Sequence, residues 1–182
     1  VDNVTSITPG VLKGGIQAVA RHRSRDEVVI GGADGVPKIY RIFRQTVRKI
    51  GDDANLIRRL DQLSGRIFSV AVSADGKRIA AGSSLNGAGQ IAIDSYEFDT
   101  GLTDALKKIM SKVSTSRNAA EKKSLQEYRR RGVKRLASID FPTGIFSVVF
   151  HPDGKTLAVA GFCEDDLSIT VEARQLVIRG RQ

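Results

Sequence analysis

The residues best suited to catalysis or metal binding are few in this chain. His22 and His151 are its only histidines, and Cys163 is its only cysteine. A zinc site needs about four such ligands at matched spacings, which this set does not supply. The acidic residues 164–166 disfavour a thiolate, so Cys163 is interpreted as a buried, inert thiol. No serine, histidine and acid are grouped as a nucleophile requires, and the sequence predicts no catalytic and no metal site.

One short stretch, GAGQIA from Gly87 to Ala92, matches the dinucleotide-binding pattern Gly-x-Gly-x-x-Ala. That pattern binds phosphate when a strand precedes it and a helix follows, because the helix amides then point at the phosphate. Here QIAIDSYEF follows, which alternates like a strand. We therefore expect a long hairpin loop at this place and no cofactor.

Positive charge is concentrated in one segment. The chain has a net charge of +9, and residues 101–135 hold eleven basic and three acidic residues, so the rest is nearly neutral. The segment could be a solvated insertion, as charge runs usually are. It could instead be an arm that binds an acidic protein, a lipid surface or a phosphate backbone. Nucleic acid is not favoured, because Tyr128 is the only aromatic residue between Gly101 and Gly132 and bases need stacking partners.

The same segment has a helical pattern. Apolar residues recur at spacings of three and four, which places them in one stripe on a helix: they are Leu102, Ala105, Leu106, Ile109, Met110 and Val113. Thr103 or Asp104 could cap the start of this helix. AAEKKSLQEYRRR predicts a second helix, which Gly132 ends. We expect a helical hairpin on the outside of the fold.

Outside this segment the chain repeats itself. GRIFSVAVSADGKRIAAG (Gly65–Gly82) and GIFSVVFHPDGKTLAVAG (Gly144–Gly161) share eight identical residues over fifteen aligned positions, and a fainter copy runs from Gly14 to Gly32. In the two clear copies, alternating apolar stretches flank Asp-Gly, which favours a tight hairpin turn. A third strand is expected after each hairpin and a fourth before the next copy. Four short antiparallel strands per copy are typical of a propeller blade.

This pattern resembles the WD40 repeat. GRIFSVAVSADGKRIAAGSSLNGAGQIAID follows that family's order of strand, turn, strand, loop and strand, with Ile93-Asp94 where the family has Trp-Asp. GGADGVPKIYRI resembles its Gly-Ser-x-Asp-Gly-x-Ile-x-x-Trp segment, which makes Asp34 the residue that holds the turn before the third strand. The chain has no Trp and lacks the family's Gly-His pair, so the hydrogen-bond tetrad built on them cannot form. The resemblance covers roughly residues 13–100 and 133–178.

The opening half is also similar to WD-repeat regions of large bacterial proteins that carry a c-type haem domain. LKGGIQAVARHRSRDEVVIGGADGVPKIYRIF carries part of that likeness. The chain contains no Cys-x-x-Cys-His motif, so no haem is expected in it. This resemblance implies, as one alternative, an interaction domain of a secreted multidomain redox protein, located in the periplasm or outside the cell.

The expected fold is all-β. It is part of a WD40-like β-propeller, with about three four-stranded blades at residues 13–63, 64–141 and 142–178 of one domain, 1–182. A helical, basic insertion at about 101–132 lies in the second blade. Closed propellers have about four to eight blades, and a blade buries its faces only against neighbours. The remaining blades are therefore expected from further sequence or from another subunit. No apolar stretch has the length of a transmembrane helix.

The expected function is non-catalytic, as a scaffold for a protein partner or for other domains of the same chain. The WD40 resemblance implies that Phe68 and Phe146, with Arg66, lie near one mouth of a central channel. Packing between blades is the alternative role of the two rings. Arg129, Arg130 and Arg131 on the insertion are the candidates for an anionic ligand. The residues expected to shape turns are Asp34, Asp75, Gly76, Asp94, Asp153 and Gly154.

Overall fold

The structure is a computed structural model that describes residues 15–47 and 55–161, with the backbone of strands 167–172 and 175–180. Cys163 lies outside the described residues. Most described elements are strands: β1 (Ile16–Arg21), β2 (Glu27–Gly32), β3 (Lys38–Arg41), β4 (Leu56–Arg59), β5 (Arg66–Val72), β6 (Arg78–Leu85), β7 (Ala88–Ser95), β8 (Arg135–Phe141), β9 (Ile145–Phe150), β10 (Leu157–Gly161), β11 (Leu167–Glu172) and β12 (Gln175–Gly180).

Two four-stranded antiparallel sheets contain most of these strands. The first sheet has the order β1-β2-β3-β4 and the second β5-β6-β7-β8, so each strand pairs with its neighbours in sequence. Both sheets have the same irregularity near the start of the first strand. The register shifts between Ile16 and Ala18 in β1 and between Ile67 and Ser69 in β5. The sequence repeat therefore extends to the backbone of the two sheets.

The third copy of the repeat forms a hairpin, β9–β10, with a register shift at the equivalent place. The expected third and fourth strands correspond to β11 and to β12, which form a separate two-stranded sheet. The third copy thus differs from the expected single four-stranded sheet. Its first hairpin still packs against the second sheet as the second sheet packs against the first.

Glycines set the spacing between successive sheets. The sheets approach each other at their first strands, since β5 contacts β1 and β2, and β9 contacts β5 and β6. Ile67 and Val70 rest on Gly31, and Ile145 and Val148 rest in the same way on Gly82. A Cβ at Gly82 would lie 2.5 Å from Cγ2 of Ile145. The close approach of neighbouring sheets therefore requires glycine at positions 31 and 82, because a Cβ there would overlap the isoleucine of the next sheet.

The apolar core is divided between these two seams. Between the first and second sheets lie twelve buried residues: Ala18, Val29, Ile39, Ile57, Leu60, Leu63, Ile67, Val70, Ile79, Ala81, Ala92 and Tyr96. A smaller cluster lies between the second sheet and the β9–β10 hairpin: Ala80, Ile91, Ile145, Val148 and Val159. Burial of apolar area of this kind is the main favourable term in folding, and it joins each sheet to the next.

The connection between β7 and β8 contains the helices. They are α1 (Asp104–Met110), a 3-10 turn (Ser114–Ser116) and α2 (Ala119–Arg130). Thr103 caps α1 by accepting a hydrogen bond from the amide of Leu106. Asn118 and Glu121 form a reciprocal capping box at the start of α2. We call residues 101–132 the insertion.

A first prediction concerns the seam between the second sheet and β9. Gly82→Ala places a methyl group against Ile145 and Val148, and overpacking of this kind costs about 1–3 kcal/mol. The free energy of unfolding in urea should fall by that amount. Gly101→Ala is the control, because its Cβ would meet only the side chain of exposed Asp99, at 3.1 Å. Equal stability of the two variants would contradict the role given to Gly82.

Candidate functional site

Two aromatic rings from neighbouring sheets meet at the start of the first strands. Phe68 of β5 and Phe146 of β9 occupy equivalent positions of the repeat, and their ring centroids are 4.9 Å apart with an interplanar angle of 51°. Phe146 is 37% exposed and Phe68 is partly buried. Arg66, two residues before Phe68, is exposed. We call Phe68 and Phe146 the aromatic pair.

The aromatic pair stands on a rigid base. Ile67 and Ile145, which precede the two rings, are 0% and 2% exposed and are wedged against the neighbouring sheets. The amide of Val148 donates a hydrogen bond of 3.0 Å to Oγ of Ser69, which links β9 to β5 directly beside the rings. The position of this surface is therefore determined by the packing of the sheets.

At the opposite ends of the first strands lie the hairpin turns. The carboxylate of Asp75 accepts hydrogen bonds from Oγ of Ser73 at 2.6 Å and from the amide of Lys77 at 3.0 Å, and these lower the pKa of Asp75. Asp153 accepts from the amides of Lys155 and Thr156, which lowers its pKa to about 2. Gly76 and Gly154 follow with φ of 71° and 68°, a conformation that favours glycine.

The other two predicted turn residues lie in different settings. Asp34 is in the turn between β2 and β3, accepts a hydrogen bond from the amide of Val36 and forms an ion pair with Lys38. Asp94 lies within β7 and not in a turn. It is fully buried and accepts a 2.6 Å hydrogen bond from Nε of Arg135 on β8. Burial raises the pKa of Asp94, and the bond to Arg135 opposes that shift.

His22 ties the turn of the first sheet to that of the second. Its Nδ1 accepts hydrogen bonds from the amides of Ser24 and Arg25, which leaves the proton on Nε2 to be donated to the carbonyl of Gly76 at 3.2 Å. The ring is 4% exposed and lies edge-on to Tyr96 at 5.0 Å. Burial, with the charge of Arg25 as the second cause, lowers the pKa of His22. His22 is therefore a structural link between the two sheets.

A buried polar cluster surrounds Tyr96. The Tyr96 hydroxyl donates a 2.8 Å hydrogen bond to Oε2 of Glu27, and the guanidinium of Arg25 lies 4.2 Å from the centre of the Tyr96 ring. Burial raises the pKa of the Tyr96 hydroxyl, so it stays protonated and can donate. These residues lie about 70 positions apart in the sequence, and no local pattern predicted their contact.

The insertion leaves the second sheet and docks on the first. The side of α2 contacts β4. Arg58 of β4 is 1% exposed and lies between two rings, 4.9 Å from the centre of Phe98 and 4.6 Å from that of Tyr128. Its guanidinium donates hydrogen bonds of 2.7 Å to the carbonyls of Arg131 and Asp99. Arg58 therefore connects the first sheet to both ends of the insertion.

The helices of the insertion pack mainly on each other. Leu106, Met110, Leu125 and Tyr128 form their shared core, while Val113 of the predicted stripe is 47% exposed. The Tyr128 hydroxyl accepts a 2.7 Å hydrogen bond from Arg41 of β3. Tyr128 thus serves the packing of the helices and their attachment to the first sheet at once.

Many cations of the insertion have partners. Arg117 is 7% exposed and its guanidinium donates to the carbonyls of Ile109, Met110 and Lys112. Four others form ion pairs: Lys107 with Asp104, Lys112 with Glu121, Lys123 with Glu127, and Arg130 with Asp61. Among the described cations of the insertion, Lys108, Lys122 and Arg131 are the ones whose side chains make no hydrogen bond or ion pair. The charge run is therefore largely used inside the fold.

The three predicted arginines of the insertion do not form one site. Nη2 of Arg130 lies 2.6 Å from Oδ1 of Asp61, which lies between β4 and β5. Arg130 therefore helps to attach the insertion to the first sheet. Arg131 is exposed, and its backbone carbonyl binds Arg58. Arg129 is partly buried. The three side chains thus lie in different environments and do not converge on one place.

Two observations on chemistry concern the part of the chain that the structure describes. It contains no group of three or more His, Cys, Asp or Glu side chains that could hold a metal ion. None of its helices has both the length and the apolar character needed to span a bilayer.

Comparisons with known proteins bear on the fold. A family model described as WD domain, G-beta repeat matches residues 134–169. The structure is similar to the beta-propeller domain of Cps50 (Swd1) from Myceliophteria thermophila, with a TM-score of 0.56 and 14% identity over 98% of this chain and 40% of that one. The chain folds as part of a WD40-like β-propeller. The two four-stranded antiparallel sheets described above have the architecture of propeller blades.

A second solved structure agrees. Saccharomyces cerevisiae Sqt1 is similar with a TM-score of 0.52 and 10% identity, over 92% of this chain and 34% of Sqt1. The chain therefore spans well under half the length of either protein. A search of curated proteins found no match. At these identities the likeness concerns the fold, and the all-β, partial-propeller expectation is confirmed.

The attachment of the insertion can be tested at Arg58. Arg58→Met removes a buried side chain that donates to two partly buried carbonyls, and loss of hydrogen bonds from a charged group typically costs about 1–3 kcal/mol in total. We expect a lower free energy of unfolding and faster limited proteolysis within residues 101–132. Arg59→Met is the matched control, since Arg59 is the exposed neighbour on the same strand. The assignment is wrong if both variants lose the same stability.

The link through His22 predicts a pH dependence of stability. Its pKa in the folded chain lies below the ordinary 6.5, so the unfolded chain takes up the proton first as pH falls. Stability from neutral His22 is complete above pH 6.5 and is lost as pH drops through the folded pKa. Thermal unfolding measured from pH 8 to pH 5 should show this loss. His22→Gln should flatten the curve in that range, and an unchanged slope would refute the link.

Proposed function

We propose that this chain is a non-catalytic scaffold that binds a protein partner, or another domain of its own polypeptide, at the aromatic pair. The observation that carries the proposal is the convergence of Phe68 and Phe146, whose ring centroids are 4.9 Å apart; exposed Arg66 lies two residues before Phe68 on the same strand. Aromatic residues and arginine are the types that contribute most to protein interfaces. A surface with this composition suits another protein better than a small polar ligand.

The rigidity of the aromatic pair supports the same function. Association costs conformational entropy when side chains must be ordered on binding. Here the rings lean on each other, and their strands are fixed by Ile67, Ile145 and the hydrogen bond from Val148 to Ser69. A partner would therefore meet a preorganised surface.

The hypothesis that the insertion binds an anionic ligand has less support. Its cations are largely engaged in ion pairs or in carbonyl contacts, and Arg130 is committed to Asp61. Exposed ion pairs are weak, but each places a carboxylate beside a cation and so lowers the positive potential that an anionic ligand would meet. The alternative of a secreted redox protein rests on the bacterial resemblance and stays a prediction, as does the compartment.

We also propose that further blades complete the propeller beyond the described sheets. Val149 of β9 is 58% exposed, whereas Ala71, at the equivalent position of β5, packs against the next hairpin. The outer face of the third copy is thus open where the second sheet is covered. A neighbouring blade, from more of the same polypeptide or from another subunit, would cover it.

Site-specific photocrosslinking tests the scaffold function. The full-length protein, produced in its own cells, carries benzoylphenylalanine in place of Phe146 or, as control, in place of Val113 of the insertion, which is 47% exposed. We expect a discrete protein adduct from position 146 and none of that size from position 113. Arg66→Glu should reduce the adduct by several-fold. Equal adducts from both positions, or an adduct from position 113 alone, would exclude the aromatic pair as the binding surface.

A further inference from the structure

A second candidate surface lies at the other end of the first strands. There a cleft of about 270 Å³ is bordered by residues of all three repeats: Arg21, Arg23, Val72, Ser73, Ala74, Phe150 and Pro152. Val72 lies four positions after Phe68 along β5, which corresponds to about 13 Å at the usual rise of a strand. The cleft and the aromatic pair are therefore separate surfaces.

The cleft is built by the repeat itself. Arg21, Val72 and Phe150 each end the first strand of their copy and occupy equivalent positions. Residues of the turns that follow complete the walls. The turns are held in place by the hydrogen bonds of Asp75 and Asp153 and by the bond from His22 to Gly76. The cleft is therefore a fixed feature of the packed sheets.

The residues that border the cleft are of two chemical kinds. Arg21 and Arg23 are cationic; Arg23 is exposed and makes no hydrogen bond or ion pair with the described residues. Arg21 is 69% exposed, and its partner Asp26 lies 3.4 Å away and is 60% exposed, so the pair is weak. The apolar lining residues are Val72, Ala74, Phe150 and Pro152.

The surrounding charge is also positive. The three turn regions, residues 21–27, 72–78 and 150–156, contain six basic and four acidic residues. Two of the acids, Asp75 and Asp153, use their carboxylates to hold their own turns. A ligand that approaches this end meets two arginines whose hydrogen-bonding capacity is available.

We propose that this cleft binds a protein segment in which acidic residues flank one large apolar side chain. The carboxylates would contact Arg21 and Arg23, which can hold carboxylates with two hydrogen bonds each. The apolar side chain would enter between Ala74 and Phe150. A volume of about 270 Å³ is below the 300–1,000 Å³ of most small-molecule sites, which fits one side chain and not a cofactor. The apolar lining residues would add no affinity for a free inorganic anion.

Titration with two matched peptides tests this proposal. The peptides are acetyl-Asp-Glu-Leu-Glu-Asp-amide and the same sequence with Gly in place of Leu, added to ¹⁵N-labelled full chain at low salt. We expect the Leu peptide to shift the amide signals of residues 21–24, 72–75 and 150–153. The Gly peptide should bind at least about tenfold more weakly, because it lacks the leucine side chain whose burial favours binding.

Charge variants show where binding occurs. Arg21→Glu with Arg23→Glu lowers the net charge from +9 to +5 and should weaken the Leu peptide at least about tenfold, as charged hydrogen bonds are lost. Lys108→Glu with Lys122→Glu makes the same change in net charge on the insertion and should leave the affinity within about twofold, since neither residue borders the cleft and salt screens exposed charges. Phe146→Ser should also leave it unchanged, which separates this proposal from the scaffold function.

Four results would overturn the proposal. They are equal affinity for the Leu and Gly peptides, equal weakening by the two charge variants, shifts that avoid the three turn regions, and no binding of either peptide at millimolar concentration. Oligo-dT that shifts the same amides while the peptides do not would assign the cleft to nucleic acid instead.

Discussion

The spacing between blades depends on two positions that have no side chain. Gly31 and Gly82 accept the isoleucine and valine of the next first strand, and a methyl group at either place would overlap them. Because side chains in a core are packed almost without gaps, this contact sets the distance between sheets. The meeting of Phe68 with Phe146 and the cleft at the other end of the strands both follow from that distance. The two candidate surfaces are thus products of the same repeated contact.

Charge in this protein is mostly structural. A net charge of +9 predicts attraction to anions at long range, yet the basic insertion uses many of its cations on its own carbonyls and carboxylates and on Asp61 of the first blade. Arg58 is the extreme case, enclosed by carbonyl oxygens and two aromatic faces. Arginines that make no hydrogen bond with the described residues, such as Arg23 and Arg66, lie at the ends of the first strands of their sheets. Location, more than total charge, decides which cations can serve a ligand.

The elements were predictable from local sequence, and their contacts were not. Asp-Gly turns between alternating stretches identified the hairpins, and the apolar stripe from Leu102 onwards identified α1. The repeat alignment made Phe68 and Phe146 equivalent, but their contact needed the glycine-set spacing. Asp94 was expected in a turn from its place in the motif, whereas Arg135 across the strands holds it inside a sheet. The docking of the insertion joins residues 69 positions apart, as in Arg130 and Asp61, and local patterns carry no information on such pairs.

The insertion has a mechanical consequence. Its two ends belong to adjacent strands of the second blade, β7 and β8, while its helix α2 rests on β4 of the first. Separation of these two sheets at their β4 and β8 edges would break the contact of the Tyr128 ring with Arg58 and the hydrogen bond from Arg41 to the Tyr128 hydroxyl. The entropic cost of closing a loop grows only slowly with its length, so a long β7–β8 connection adds little cost while it supplies these contacts. The first two sheets are thus held together at two places, by the apolar seam at their first strands and by the contacts of the insertion with β3 and β4.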